Sequence, residues 1–256
     1  MLGGRPASLV RREVASAANY RALWRALRVY EQPRESLGRY LLGRGDYPWR
    51  CRLRTPLGSI APALHHPHDM FTVGEVFCRE DYRTGPRARV VVDIGSNIGI
   101  SALYFLTRSA EVRCRLFEPV PGNAAHLREN LAAFPGRWTV TEAAVDAHGG
   151  QVPFGIEPRG RYGSLDRSDH GTIEVRCLEI SEVLESALSA EGHIDVLKLD
   201  TEGAELRTLR AIAPEHLERI ATIYLETDTR APLLPGRFDQ RTSSQTVRLV
   251  NRRPPA

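Results

Sequence analysis

The chain has 256 residues, 42% of them hydrophobic and 26% charged, enough apolar material for one good-sized α/β domain plus an extension. Its net charge is +4, yet the basic residues are scattered and Lys198 is the only lysine. So complete an arginine bias reads as codon usage, and no nucleic-acid partner is expected. Cys51, Cys78, Cys114 and Cys177 form no C-x-x-C pair and read as buried reduced thiols. No apolar run reaches the length of a membrane span, and the N-terminus lacks the apolar stretch of a signal peptide, so the expected compartment is the cytoplasm.

In residues 11–30, Val14, Ala17, Tyr20, Leu23, Trp24, Leu27 and Tyr30 recur at helical spacing among arginines. This predicts an amphipathic helix ended by Pro33. It is expected to pack on its own domain or in a homodimer, rather than on a membrane surface. Residues 47–67 are rich in Pro and Gly, with a strand candidate at 50–54, and 69–82 reads as helical. Thr84-Gly85-Pro86 is a breaker, so residues 1–86 are expected to form an extension that shapes an acceptor pocket or an oligomer contact. Strands are then expected at 90–94, 112–117, 138–145, near 151–155 and 172–177, at 194–199 and at 220–226. Helices are expected at 98–108, 122–133, 179–190 and 203–211. The alternation predicts an α/β fold over 87–230, with a mainly parallel sheet covered by helices on both faces. Residues 231–256 are expected to add one strand, near 246–250, and a tail.

The run Val90-Val91-Val92-Asp93-Ile94-Gly95-Ser96-Asn97-Ile98-Gly99 reads as buried strand, tight glycine turn and helix start. Such a unit holds nucleotide-like cofactors outside the carboxyl ends of an open sheet. It lacks the G-x-G-x-x-G spacing that packs backbone amides against a pyrophosphate. S-adenosylmethionine (SAM) has no phosphate. Asp93 can face its ammonium, and Asn97 can bond its amino-acid end. Glu118, ending the next strand before Pro119, can accept both hydroxyls of a ribose. Thr141-Glu142-Ala143-Ala144 offers small residues that leave room for an adenine. Ile194 to Glu205 delivers Asp200 and Glu202 to the same sheet edge, where Asp200 either faces the reacting group or caps the following helix. Lys198 lies inside that strand, with Glu205 and Asp195 as candidate ionic partners.

These stretches, V-V-V-D-I-G-S-N-I-G-I-S-A-L-Y-F (90–105), F-E-P-V-P-G-N (117–123), A-V-D-A-H-G-G (144–150) and I-D-V-L-K-L-D-T-E-G-A-E (194–205), resemble the FkbM family of SAM-dependent methyltransferases. The resemblance spans roughly 90–228. It implies a class I, Rossmann-like methyltransferase fold and methyl transfer, usually to a hydroxyl of a sugar, glycolipid or secondary metabolite. It places Asp93, Gly95, Asn97, Gly99 and Glu118 on SAM; Ser96, Pro119, Glu142 and Ala144 complete the expected cofactor site. A hydroxyl is a poor nucleophile, so a positioned base is expected, with Asp200 and Glu202 first and His68 behind them. His68 belongs to His65-His66-Pro67-His68-Asp69, a cluster with too few ligands to read as a metal site. Gly160 to Leu165 is a second loop, with Tyr162 and Ser164 as candidate acceptor contacts. A catalytically silent SAM-binding module and transfer to nitrogen or RNA stay open as alternatives.

Overall fold

The computed structural model describes residues 17–255, apart from 44, 157–162, 165–170, 202 and 244–245. The chain divides into two compact units, 1–83 and 84–256.

The first unit begins with α1 (Ala17–Val29) and α2 (Pro33–Leu42). Pro33 does not merely stop a helix. It opens α2 from the first turn, where its missing N–H costs nothing and its fixed φ suits the helix. Gly43 closes α2 with φ of 61°. Strand β1 (Trp49–Arg50) pairs antiparallel with β4 (Ala63–Leu64), and β2 (Leu53–Thr55) with β3 (Gly58–Ile60). Helix α3 (Asp69–Val73) runs into a wider π turn over Gly74–Arg79. Tyr30, Cys51, Leu53, Leu64, Met70, Val73 and Phe77 are buried as the core of this unit. On α1, Leu23, Trp24 and Leu27 remain about half exposed.

The second unit is built on a seven-stranded sheet. Its strands are β5 (Val90–Ile94), β6 (Arg113–Phe117), β7 (Trp138–Thr141), β12 (Ile194–Leu199), β13 (Ile220–Glu226), β14 (Phe238–Ser243) and β15 (Thr246–Asn251). Their order across the sheet is β14-β15-β13-β12-β5-β6-β7, and β15 is antiparallel to both its neighbours. Every residue of β5 is buried, as a central strand covered on both faces requires. The chain moves from β5 outward through β6 and β7, then restarts at β12 on the other side. The β5–β12 border is therefore the topological switch point, where open α/β sheets bind ligands. This is a Rossmann-like α/β fold.

Helices α4 (Ile100–Leu106), α5 (Pro121–Leu131), α6 (Ile180–Glu191), α7 (Glu205–Ala211) and α8 (Pro214–Glu218) connect the strands. Ile180, Val183, Leu184 and Leu188 of α6 share one apolar cluster with Val92, Ile94, Leu197, Leu199, Ile223 and Leu225 of the sheet. The expected single strand over 138–145 is two: after β7 the chain turns at Glu142 and Ala143, where the Ala143 N–H bonds the Thr141 carbonyl at 3.0 Å. It then enters β8 (Ala144–Asp146) of a second sheet, ordered β10-β9-β11-β8, with β9 (Gly150–Ile156), β10 (Gly163–Ser164) and β11 (Thr172–Glu179). The C-terminal segment supplies two strands rather than one, β15 beside β13 and β14 at the edge.

One arginine secures the β5–β6 connection. Arg137 donates to the carbonyls of Leu106 at 2.8 Å, Ser109 at 2.6 Å and Val112 at 3.1 Å. Arg137→Ala is expected to cost about 2 kcal/mol of this unit's stability, read as a lower urea midpoint with an unchanged slope.

Candidate active site

The register of the sheet sets Asp93 of β5 directly beside Lys198 of β12. Cβ atoms alternate along a strand, so Asp200, two residues on, lies on the same side as Lys198. The Lys198 ammonium is 3.0 Å from Asp93 Oδ1 and 3.2 Å from Asp200 Oδ2, and donates to the Gly95 carbonyl at 2.9 Å. Burial works to lower the lysine pKa, but the Asp200 and Asp93 carboxylates outweigh it and raise the value. Asp93 is fully buried, and its Oδ2 accepts the Ser101 hydroxyl.

The loop after β5 is held from the neighbouring strand. The Phe117 carbonyl accepts the N–H groups of Gly95 and Ser96, both at 3.0 Å. Glu118 continues this clasp: Oε2 accepts the Asn97 N–H at 2.8 Å, and Oε1 accepts the Val120 N–H at 3.0 Å and the Asn123 amide at 3.3 Å. Burial pushes the Glu118 carboxyl up to about 7, against the lowering effect of those hydrogen bonds. Asn97 takes a positive φ of 48° to present its N–H to this carboxylate.

A crevice opens beyond the ends of β5, β6, β7 and β12. Gly95, Asn97, Glu118, Asn123, Asp200 and Thr201 line its polar side. Pro119, Val120, Ala143, Ala144, Val145 and Phe154 line the rest. Residues 93–239, more than half of the chain, match the model of the methyltransferase FkbM domain. The chain belongs to the FkbM methyltransferase family.

Among relatives, this FkbM chain is 26% identical to the methyltransferase sdnD of Sordaria araneosa, over 61% of itself and 74% of sdnD. It is also 28% identical to the AMB antimetabolite synthetase AmbE of Pseudomonas aeruginosa. That match covers 76% of this chain but only 11% of AmbE, so the chain spans about a tenth of that relative's length. Among solved structures, it overlaps an O-methyltransferase family protein from Burkholderia thailandensis at 12% identity and a TM-score of 0.41, covering 73% of this chain and 60% of that one. A methyltransferase from Geobacter sulfurreducens overlaps at 14% identity and 0.38, covering 66% and 73%. Both overlaps are partial, and the strand order rather than they defines the fold. No helix among the described residues is long and apolar enough to cross a membrane.

Of the residues singled out from sequence, Gly95, Asn97, Glu118, Pro119, Ala144 and Asp200 meet in the crevice. The others stand elsewhere. Asp93 is turned into the protein onto Lys198 and Ser101. Ser96 is buried, its hydroxyl on the Asp93 carbonyl at 2.8 Å. Gly99 serves packing: with φ of 86°, a Cβ there would sit 3.2 Å from Leu127. Glu142 pairs with Arg128 at 2.6 Å on the surface. His68 belongs to the first unit, where its ring stacks on His66 at 5.1 Å in a turn held by Asp69. Glu202 and most of the 160–165 loop lie outside the described residues.

The sequence-based pairing of Lys198 with Glu205 and Asp195 is corrected. Asp195 accepts the backbone N–H groups of Arg89 and Val90 at 2.7 and 2.9 Å. Glu205 bends back to accept those of Thr201 and Gly203 in the loop before α7, whose N-cap residue is Ala204, not Asp200. Sequence reasoning also passed over Val120, Asn123, Thr201 and Phe154. Asn123 carried a signal, since it closes the F-E-P-V-P-G-N run. Phe154 carried none, because it comes from the second sheet.

Gly95 has φ of 78°, and a Cβ on it would fall 1.7 Å from the Asp200 carbonyl oxygen. Gly95→Ala must therefore part the ends of β5 and β12. The expected outcome is a loss above about 3 kcal/mol in chemical denaturation, or a folded protein with no cofactor binding by calorimetry.

Proposed function

We propose that this chain is a SAM-dependent O-methyltransferase acting on a hydroxyl of a sugar, glycolipid or secondary metabolite. The observation that carries the reading is the crevice at the switch point of an FkbM domain, with the Glu118 carboxylate on its wall. The donor set suits SAM: an acid for a ribose diol, small and apolar residues for a purine, and a further carboxylate for a cation. Glu118 would hold the ribose, Gly95 and Asn97 the amino-acid end, and Pro119, Val120 and Ala144 the purine. The name of AmbE, an antimetabolite synthetase, supports a small-molecule acceptor. The four cysteines are unpaired and buried, which accords with a reducing, cytoplasmic setting.

Bound in the crevice, SAM supplies a methyl group made electrophilic by its sulfonium. The protein's task is then to place an acceptor oxygen in line behind that methyl and to remove the hydroxyl proton. Asp200, on the crevice wall, is the group assigned to that proton, with Glu202 as a further candidate base. Asn97 and Thr201 border the same space and can orient the acceptor.

Calorimetry tests the cofactor. Wild type is expected to bind SAM and S-adenosylhomocysteine at micromolar Kd, and Glu118→Ala to weaken both by about tenfold or more. Failure of wild type to bind either rules the reading out. The raised Glu118 pKa adds a pH dependence. Above about 7 the carboxylate is ionised and accepts diol protons best; below it the acceptor is neutralised. The affinity for 5′-methylthioadenosine, which has the ribose but no amino acid, should therefore fall as pH drops through about 7, and Glu118→Gln should flatten the profile.

A further inference from the structure

We propose that Lys198 is a positioning residue of the methyl-transfer site, holding the Asp200 carboxylate where the positive charge of the cofactor sits; the inference rests on the cofactor reading above. Lys198 is 2% exposed, and three acceptors from two strand ends converge on its ammonium: Asp93 and the Gly95 carbonyl at the end of β5, and Asp200 just after β12. A compact tetrahedral ammonium meets such a set, whereas a planar guanidinium fork does not. The chain places arginine at every basic position but this one. The one lysine stands where the geometry needs that head group.

The two carboxylates are not equivalent. Asp93 is 0% exposed and spends its charge inward on Lys198 and Ser101. The Asp200 side chain is 22% exposed and borders the crevice. Of the two carboxylates on this ammonium, Asp200 is the one that reaches the crevice. The Glu118 carboxyl also stands near this ammonium, and Glu205 is turned onto the loop that follows Asp200. Without Lys198, Asp93 and Asp200 would repel one another, and Asp200 would lose its fixed place on the wall.

The test compares two ligands that differ at the reacting position. S-adenosylhomocysteine has a neutral thioether there; sinefungin carries an ammonium. By calorimetry, wild type is expected to favour sinefungin by about tenfold. Asp200→Asn should lose the preference, read as the ratio of the two affinities in the same variant. The charge-balanced double variant Lys198→Met/Asp93→Asn, which retains Asp200, should behave the same way. A folded double variant that keeps the wild-type preference would overturn the inference, because Lys198 would then only neutralise charge. A wild type that binds both ligands equally would overturn it too. Binding of neither ligand would instead refute the cofactor reading itself. A second measurement needs no variant. Labelled with ¹⁵N-lysine, the wild type gives a single lysine ammonium resonance, which sinefungin should shift more than S-adenosylhomocysteine; a signal that sinefungin leaves unmoved refutes the role even if the double variant does not fold.

Discussion

The ammonium of Lys198, set between Asp93 and Asp200, is the contact on which the rest of the second unit turns. At the switch point the chain leaves β5 in one direction and β12 in the other, so these two strand ends have every reason to splay. The ammonium ties them side chain to side chain, and the Asp200 N–H ties them backbone to backbone, donating to the Ile94 carbonyl at 3.1 Å. Gly95 completes the junction, because only a residue without a Cβ tolerates the Asp200 carbonyl so close. A buried ionic cluster is not an economical source of stability, since desolvating its members offsets much of their attraction. Its value lies in geometry. Once built, removing one member leaves an uncompensated buried charge, at a cost of about 3–5 kcal/mol.

Glu118 repeats this logic one strand further along. Its carboxylate accepts three N–H donors, one from the loop after β5 and two from Val120 and the first turn of α5, and so sets the distance between these segments. A carboxylate so enclosed is costly to ionise, which is why its pKa climbs to about 7 despite those bonds. The same enclosure aligns it in advance for a further donor entering the crevice. Strut and proposed ligand acceptor are thus one group, and the two roles would share an acid-sensitive window.

How far all this could be read from sequence follows from where each residue sits in the sheet. The bounds of β5, β12 and β13 are legible to the residue, because central strands are apolar on both faces and end in turn signals. Edge strand β14, Phe-Asp-Gln-Arg-Thr-Ser, is mostly exposed and offers no apolar pattern to find. Pro33 reads equally as a stop or as a first turn, and only the packing of α2 decides. At the site, Gly95, Asn97, Glu118 and Asp200 were within reach because they end strands that share one sheet edge. The partners of Lys198 were not. Its pairing with Asp93 depends on register across 105 positions of chain, whereas Glu205 and Asp195 are merely near in sequence. Asp93, read as a ligand group, has its carboxylate on Lys198 and Ser101.

The second sheet explains why the crevice has two unlike ends. By turning out of the main sheet at Glu142 and Ala143, the chain can run β8 beside β11 and bring Phe154 of β9 against Ala144, Val175 and Cys177. Phe154, Ala144 and Val145 then border the crevice on one side while Asp200 and Asn97 border it on the other. On the proposed reading, an elongated ligand with one flat apolar end and one cationic end would meet this wall in a single orientation. Reversal would set its charge against Phe154 and its apolar end against a carboxylate. Orientation follows from the contrast between a small mixed sheet and an ionic cluster that the main sheet buries at its switch point.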